Sequence, residues 1–533
     1  MGAWPVQLDG FPTRTDSVLR YLLERNAQEA ADEVSVKFES GVVWTRRDCR
    51  DAAFAAANQL RALGVRQGDR VAILLPNGED FVRAWWGVVC LGATIVPINP
   101  VLRGPMLDRV LARAELVAVI VDDQRASQLD AATNAPALRI HPSQLRGHDR
   151  SAPELQRPIE PWDTFALILT SGTTGPSKLV SVSYMFFVFG AMSFFVAEGF
   201  DKHDVFLVDL PMFHMAALCY LGGSLVTRTQ VAVRTRPALD RYWEVAREVG
   251  ATGAILLSTM TSQLVIAPSR PAEREHHLRT VLMSPMPADP TAFRQRFGIA
   301  KIFTTFGMSE APSVFRGDGD GVSDLKGYVG RLYPGYQARL VDEFDVEVEA
   351  GRPGELIIRA DLPWVISPCY FGDPAGTATA WRNGWFHSGD VMRLDSRGDY
   401  YFVDRAKDAL RRRGEMISAF EVEVVVVDHP RVRETACVAV PSDSGVDDEV
   451  KVWIVTEDDK PVNFEELLRY CHGRLPYYMV PRYFEVIAEL PKTPTQRVQK
   501  NVLRARGNGP GTWDREAHGF SVTRHGLKSV ART

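Results

Sequence analysis

Polar and apolar residues recur at three- and four-residue spacing from about Asp16 to Leu63, the period of helices, interrupted by one extended piece from Val34 to Trp44. Short, wholly apolar runs then take over: Val71 to Leu75, Ala93 to Pro97 and Leu116 to Val121, separated by helical stretches such as Phe81 to Leu91. Runs without a polar face, spaced by helices, predict parallel strands covered on both sides. After a proline-bearing connector from Asp149 to Trp162 the rhythm resumes with Val205 to Leu210, a helix around Tyr220, Ala254 to Leu257, Thr280 to Ser284 and Ile302 to Thr305. Beyond about Gly327 it changes to shorter alternating strands, Gln337 to Val341 and Glu355 to Arg359, which predict a small β subdomain. A charge-rich stretch, Asp404 to Gly414, reads as a solvated turn or an exposed linker. Past it, strands at Val432 to Val440 and Val450 to Val455 and a helix from Asn463 to Leu475 predict a compact α+β unit. The stretch from about Arg506 reads as a frayed tail. The pattern therefore predicts an α/β chain: a large domain over 1–404, with parallel subdomains and a small β subdomain, and a small α+β domain over 405–533.

Composition narrows the function classes. With 533 residues the chain exceeds one ordinary core, and 45% hydrophobic and 24% charged residues are values of a globular protein. A formal charge of -4 supplies no bulk field for nucleic acid or an anionic membrane. Six scattered cysteines without a CxxC pair read as reduced core residues, and a structural zinc site is not expected. The first residues lack a signal-peptide pattern, and position 6 is Val, against myristoylation. Tyr184 to Ala197 is strongly apolar yet too short to span a bilayer, so it reads as a buried helix. The expected location is the cytoplasm.

The candidate chemistry begins at Ser171-Gly172-Thr173-Thr174-Gly175-Pro176-Ser177-Lys178, directly after the apolar Phe165 to Leu169. Glycines let backbone N–H groups approach an anion, hydroxyls add donors, and the lysine adds positive charge. A phosphate-holding loop fits this composition, although not as GxxxxGK[ST]; an ordinary surface turn fits it equally.

Further stretches decide between them. Pro211 to His214, Thr304 to Glu310, Gly327 to Arg331, Gly384 to Asp390, Asp404 to Asp408 and Pro491 to Thr495 follow the loop in the order found in the adenylate-forming superfamily, which the chain resembles. That superfamily includes acyl-CoA synthetases, adenylation domains and firefly-type luciferases. The resemblance implies activation of an organic acid by ATP as acyl-AMP, with pyrophosphate release, then transfer to coenzyme A. It implies that Ser171 to Lys178 hold the β and γ phosphates, that Thr305, Phe306, Gly307, Met308 and Ser309 bind the nucleotide, with Phe306 stacking on adenine and the Ser309 hydroxyl, in place of the usual threonine, beside the phosphate, and that Glu310 ligates Mg2+. His214 matches an aromatic gate, Asp390 an acceptor for the ribose hydroxyls, Arg405 a nearby donor, Lys407 the hinge of a rotating C-terminal domain, and Gly414 the pantetheine tunnel. Taken singly, Asp390 reads as a turn residue, His214 as a packed ring and Glu310 as a cap for a helix starting after it.

Two departures bear on the substrate. Where relatives carry a lysine in a TGK-like context, this chain has Thr495-Gln496-Arg497, with Lys500 at another basic position; Arg497 keeps the charge on a broader, planar group. Met416 and Met283-Ser284-Pro285-Met286-Pro287 alter nucleotide and acyl walls. Arg411 to Glu423 and Leu490 to Lys500 look most like the carnitine and crotonobetaine-CoA ligase branch. Phe186, Phe187, Phe189, Phe194 and Phe195 read first as core and second as an aromatic pocket; Met212, Met215 and Met286 read as pliable wall or gap filler. The expected partners are a small aromatic or medium-sized acid, ATP, and coenzyme A or another acceptor, with no nucleic acid, no membrane span, and a homodimer left open. Alternatives are a carrier-protein ligase, an ATP-dependent diazotase activating nitrite for an aryl amine, and a non-catalytic nucleotide-binding homologue.

Overall fold

The computed structural model describes residues 11–102, 104–130, 132–170, 178–405, 410–412, 415–417, 419–441, 448–457, 461–475, 477–492, 498–523 and 526–529. The chain forms two compact units, the first containing Met1–Thr170, Ser177–Gln337 and Ile358–Phe386, the second Ala338–Ile357 and His387–Thr533. This division differs from a single cut at 404/405. That position falls inside the strand Tyr400–Arg405, which pairs antiparallel with Phe386–Leu394.

In the first unit the apolar runs become the expected parallel strands. One sheet has the order Leu138–Ile140, Ala118–Val121, Arg70–Leu74, Thr94–Pro97, Thr164–Leu169, Leu179–Ser183, parallel except for its last pair. A second places Gly253–Leu257 beside Val205–Val208 and Thr280–Ser284, the latter beside Lys301–Met308, all parallel. Arg70–Leu74 is buried on both faces, so it has no room for alternation. Local signals also agree with the elements: Thr45 and Asp48 form a capping box that starts the helix Arg46–Ala62.

The apolar stretch after the glycine loop is the helix Tyr184–Ala191 continued by a π turn, Met192–Val196, but the strand Leu179–Ser183 intervenes between loop and helix. All five phenylalanines of this stretch are buried. The helix lies close to Met215–Thr227: a Cβ added at Gly223 would stand 2.4 Å from the Ala191 Cβ, and one at Gly222 would stand 2.2 Å from the Phe187 ring. Met212, Met215 and Met286 are buried as well. All six cysteines are free thiols, five of them buried. Among the described residues no helix is long and apolar enough to cross a membrane.

The second unit holds a sheet in the order Val432–Pro441, Asp448–Thr456, Tyr483–Val486, Trp513–Asp514. The helix Phe464–His472 begins at Asn463, whose Oδ1 accepts the N–H groups of Glu465 and Glu466. The described residues of the stretch expected as a frayed tail, 506–523 and 526–529, are folded. Trp513–Asp514 adds a strand, and Phe520–Thr523 pairs with Gly526–Ser529. Arg515 is 1% exposed and donates to the carbonyl oxygens of Val480 and Pro481, while the buried Lys451 donates to Glu485, Thr512 and the Gly507 carbonyl. These contacts come from single residues scattered in sequence, which periodicity does not register.

Candidate active site

The glycine-rich loop joins two antiparallel strands, Thr164–Leu169 and Leu179–Ser183. Ser171, Gly172, Thr173, Thr174, Gly175 and Ser177 lie outside the described residues, but the neck is described. The Thr170 N–H donates to the Lys178 carbonyl at 2.9 Å, and the Lys178 N–H donates to Thr170 Oγ1 at 3.0 Å. Lys178 is thus anchored through its backbone at the mouth of the loop.

Thr305, Phe306, Gly307, Met308, Ser309 and Glu310 occupy one hairpin. The strand Lys301–Met308 leaves its parallel neighbour and pairs antiparallel with Ala311–Gly317, with Met308 opposite Ala311, so Ser309 and Glu310 are the two residues of the turn. No helix follows Glu310; a strand does, and the capping reading of this residue is excluded. Thr305 Oγ1 donates to the Phe315 carbonyl at 2.9 Å, and the Phe306 ring lies 6.1 Å from that of Phe315. A Cβ at Gly307 would approach the Ser313 nitrogen to 2.6 Å, so the turn depends on glycine there.

Lys178 and Glu310, 132 positions apart in sequence, meet on Tyr370. The Lys178 Nζ lies 4.0 Å from the centre of the Tyr370 ring, and the Tyr370 hydroxyl donates to Glu310 Oε1 at 2.8 Å. The segment Ser367 to Phe371 reaches this place by running along Leu179–Ser183. Ser181 donates to the Cys369 carbonyl, Phe371 donates to that of Leu179, and Ser367 donates to the carbonyl of Glu310 itself. Tyr370 escaped the sequence reading; the signal available was an aromatic pair just ahead of the Asp373-Pro374 helix start.

His214 stands immediately before the helix Met215–Thr227 with its ring 4.3 Å from Phe213. Asn77 fastens the approach to it, accepting from the Met212 N–H and donating to the carbonyls of Leu210 and Arg234. His214, Met283 to Pro287 and Thr304 to Glu310 all follow or finish the carboxyl ends of parallel strands, where α/β sheets bind ligands. Asp209, also at such an end, is 2% exposed with Oδ1 lacking a hydrogen-bond partner among the described residues, and burial pushes its carboxyl up to about 7.

In the second unit Asp390 is buried at 1% exposure, opposite Arg405 in register. Its N–H donates to Ser388 Oγ at 3.1 Å. Asp404 caps the helix Ala419–Val427 by accepting the Ala419 N–H at 2.6 Å. Lys500 pairs with Glu423 at 2.9 Å: burial opposes its charge, but Glu423 and Asp404 outweigh that and hold the ammonium above its usual pKa. Lys407, Gly414 and Arg497 lie outside the described residues.

The loop's lysine and a turn carboxylate converge on one tyrosine, and the family match defines the class of this protein as an AMP-forming ligase. The chain belongs to the AMP-binding enzyme family: residues 23–371 match the family and 421–497 match the AMP-binding enzyme C-terminal domain. A crotonobetaine/carnitine–CoA ligase of Salmonella paratyphi B is 27% identical over 517 residues, covering 91% of this chain and 98% of the relative. The fold is shared with ATP-bound MatB from Rhodopseudomonas palustris (TM-score 0.81, 23% identity, 92% of this chain and 99% of the other). It is shared too with the o-succinylbenzoate coenzyme A synthetase MenE of Bacillus subtilis in complex with ATP and magnesium (TM-score 0.80, 24% identity, 90% and 98%).

Proposed function

We propose that this protein activates an organic acid with ATP and passes the acyl group to the thiol of coenzyme A. The acid's carboxylate attacks the α-phosphorus and the bond to pyrophosphate breaks; the thiol sulfur then attacks the carbonyl carbon of the acyl-AMP, forming the thioester and releasing AMP and the thiol proton. The observation that carries this reading is the convergence of Lys178 and Glu310 on Tyr370 beside the neck of the glycine-rich loop. A carboxylate is a weak nucleophile facing a highly charged phosphate, so catalysis consists of alignment and charge neutralisation.

Lys178 and the loop residues Ser171 to Ser177 hold the β and γ phosphates, Phe306 lies against adenine, and Asp390 accepts from the ribose hydroxyls with Arg405 beside it. Arg497 meets the substrate carboxylate and the α-phosphate. The donor chemistry at Glu310 fits magnesium: a hard carboxylate oxygen, presented on a turn and oriented by a hydroxyl. No group of three or more His, Cys, Asp or Glu that could hold a metal occurs among the described residues. When bound, magnesium supplies neutralisation of phosphate charge.

Relatives named as CoA ligases support the thiol acceptor, and the full-length match to the crotonobetaine/carnitine branch supports a small or medium-sized acid. Pyrophosphate release with ATP and magnesium, assayed over aromatic, medium-chain and carnitine-like acids and nitrite, with and without coenzyme A, tests the reading. Acid-dependent release with an acyl-CoA product is the expected result. Release with nitrite and an aryl amine alone overturns it in favour of a diazotase, and ATP binding without release in any mixture overturns it in favour of a non-catalytic homologue.

A further inference from the structure

We infer that Tyr370 is a positioning residue that keeps Lys178 and Glu310 apart and aimed, ready for the triphosphate and its magnesium ion; this rests on the proposed nucleotide roles of both groups. The tyrosine is itself firmly held. It is 7% exposed, bridges to Val180 across the strand, donates its N–H to Thr377 Oγ1 at 3.0 Å, and meets the Trp381 ring edge-on at 5.2 Å. Thr377 in turn donates to the Asp373 carbonyl at 2.8 Å, which ties the turn after Tyr370 to the helix Pro374–Ala380.

On this fixed ring the two charged groups use different parts. The ammonium of Lys178 takes the π face, and the Glu310 carboxylate takes the hydroxyl. Opposite charges brought together in a half-buried site attract strongly, and a direct ion pair would have to be broken before phosphate and metal could bind. A phenol offers each charge its own contact on one rigid scaffold. The cation keeps a face interaction that a phosphate oxygen easily supplements, and the carboxylate keeps an orienting hydrogen bond of the kind metal-ligating carboxylates retain. Phenylalanine supplies the first contact without the second, and leucine supplies neither.

The test measures binding of a non-hydrolysable ATP analogue by calorimetry, with and without magnesium, for the full chain and for Tyr370→Phe, Tyr370→Leu and Glu310→Gln. Tyr370→Phe is expected to bind the analogue without metal within about twofold of the unaltered protein, because the ring face remains, while the gain on adding magnesium falls about tenfold. Tyr370→Leu is expected to lose in addition about threefold of the metal-free affinity. Thermal melts accompany each variant, and if Tyr370→Leu fails to fold, Tyr370→Phe alone decides. An unchanged magnesium gain in Tyr370→Phe overturns the inference, as does an equal loss with and without metal, which marks a packing role only. Glu310→Gln separates the two levels: if it loses the gain while Tyr370→Phe keeps it, Tyr370 is not the positioning group but Glu310 remains the metal ligand. If Glu310→Gln keeps the gain, the metal role of Glu310 falls and the inference falls with it.

Discussion

Two carboxylates of the first unit both follow carboxyl ends of parallel strands, and they are treated in opposite ways. Glu310 sits on a two-residue turn with the Tyr370 hydroxyl on one of its oxygens; Asp209 is sealed at 2% exposure with an oxygen that no described group satisfies. A carboxylate held by a donor on a turn is presented to a cation, whereas burial that leaves an oxygen unsatisfied drives the group toward its neutral form. Position at the sheet's carboxyl edge therefore does not by itself make a binding group. The partner does.

The largest effect is expected at Glu310. Glu310→Gln keeps size and hydrogen bonding but removes the charge, and pyrophosphate release should fall roughly a thousandfold with the melting temperature unchanged. A loss below tenfold would place the metal elsewhere. At Asp209 the expected change is in stability. Its folded pKa of about 7 lies above the ordinary carboxylate value, so there is no penalty below about pH 4, where both states hold the proton. As pH rises from about 4 to 7 the unfolded chain ionises while the fold retains its proton, and stability is lost. Asp209→Asn should therefore be more stable than the unaltered protein by about 4 kcal/mol at pH 8 and nearly equal to it at about pH 4, as read by denaturant melts. An advantage independent of pH would show that Asp209 is not the titrating group.

A third acid sharpens the contrast from the second unit. Asp390 is as buried as Asp209, and its proposed partner is the ribose. Asp390→Asn should raise the KM for ATP about tenfold with a smaller change in kcat, measured by pyrophosphate release. The smallest expected effect is at the hairpin that presents Glu310. Thr305→Val removes the hydroxyl bond to the Phe315 carbonyl and should cost about 1 kcal/mol of stability, with the magnesium dependence of nucleotide binding nearly unchanged.

Much of this was legible in the chain's order of residues. Apolar runs buried on both sides have one local solution, and the strands at Arg70–Leu74, Thr94–Pro97 and Ala118–Val121 appear within two residues of where the pattern put them. The phenylalanine-rich stretch after the loop is core, as its composition favoured. Taken singly Glu310 fits either a helix cap or a turn, because a Ser-Glu pair after a strand is compatible with both, and only the pairing of Met308 with Ala311 selects the turn. The region after Arg506 looked unstructured because its anchors, Lys451, Arg515 and Trp513, are isolated residues satisfied by distant carbonyls and a strand edge.

The sequence by itself determined the alternation of elements, the family, and the kinds of groups available for phosphate and metal. These depend on residue type and short spacing, which local physics reads directly. Only the tertiary structure decided which of those groups meet. Lys178, Glu310 and Tyr370 come from three separate segments. Their meeting depends on a loop neck closed by Thr170, a bulged hairpin made feasible by Gly307, and a third segment hydrogen-bonded along Leu179–Ser183. Contacts of such sequence separation are set by backbone pairing and packing across the whole unit, so no window along the chain contains them.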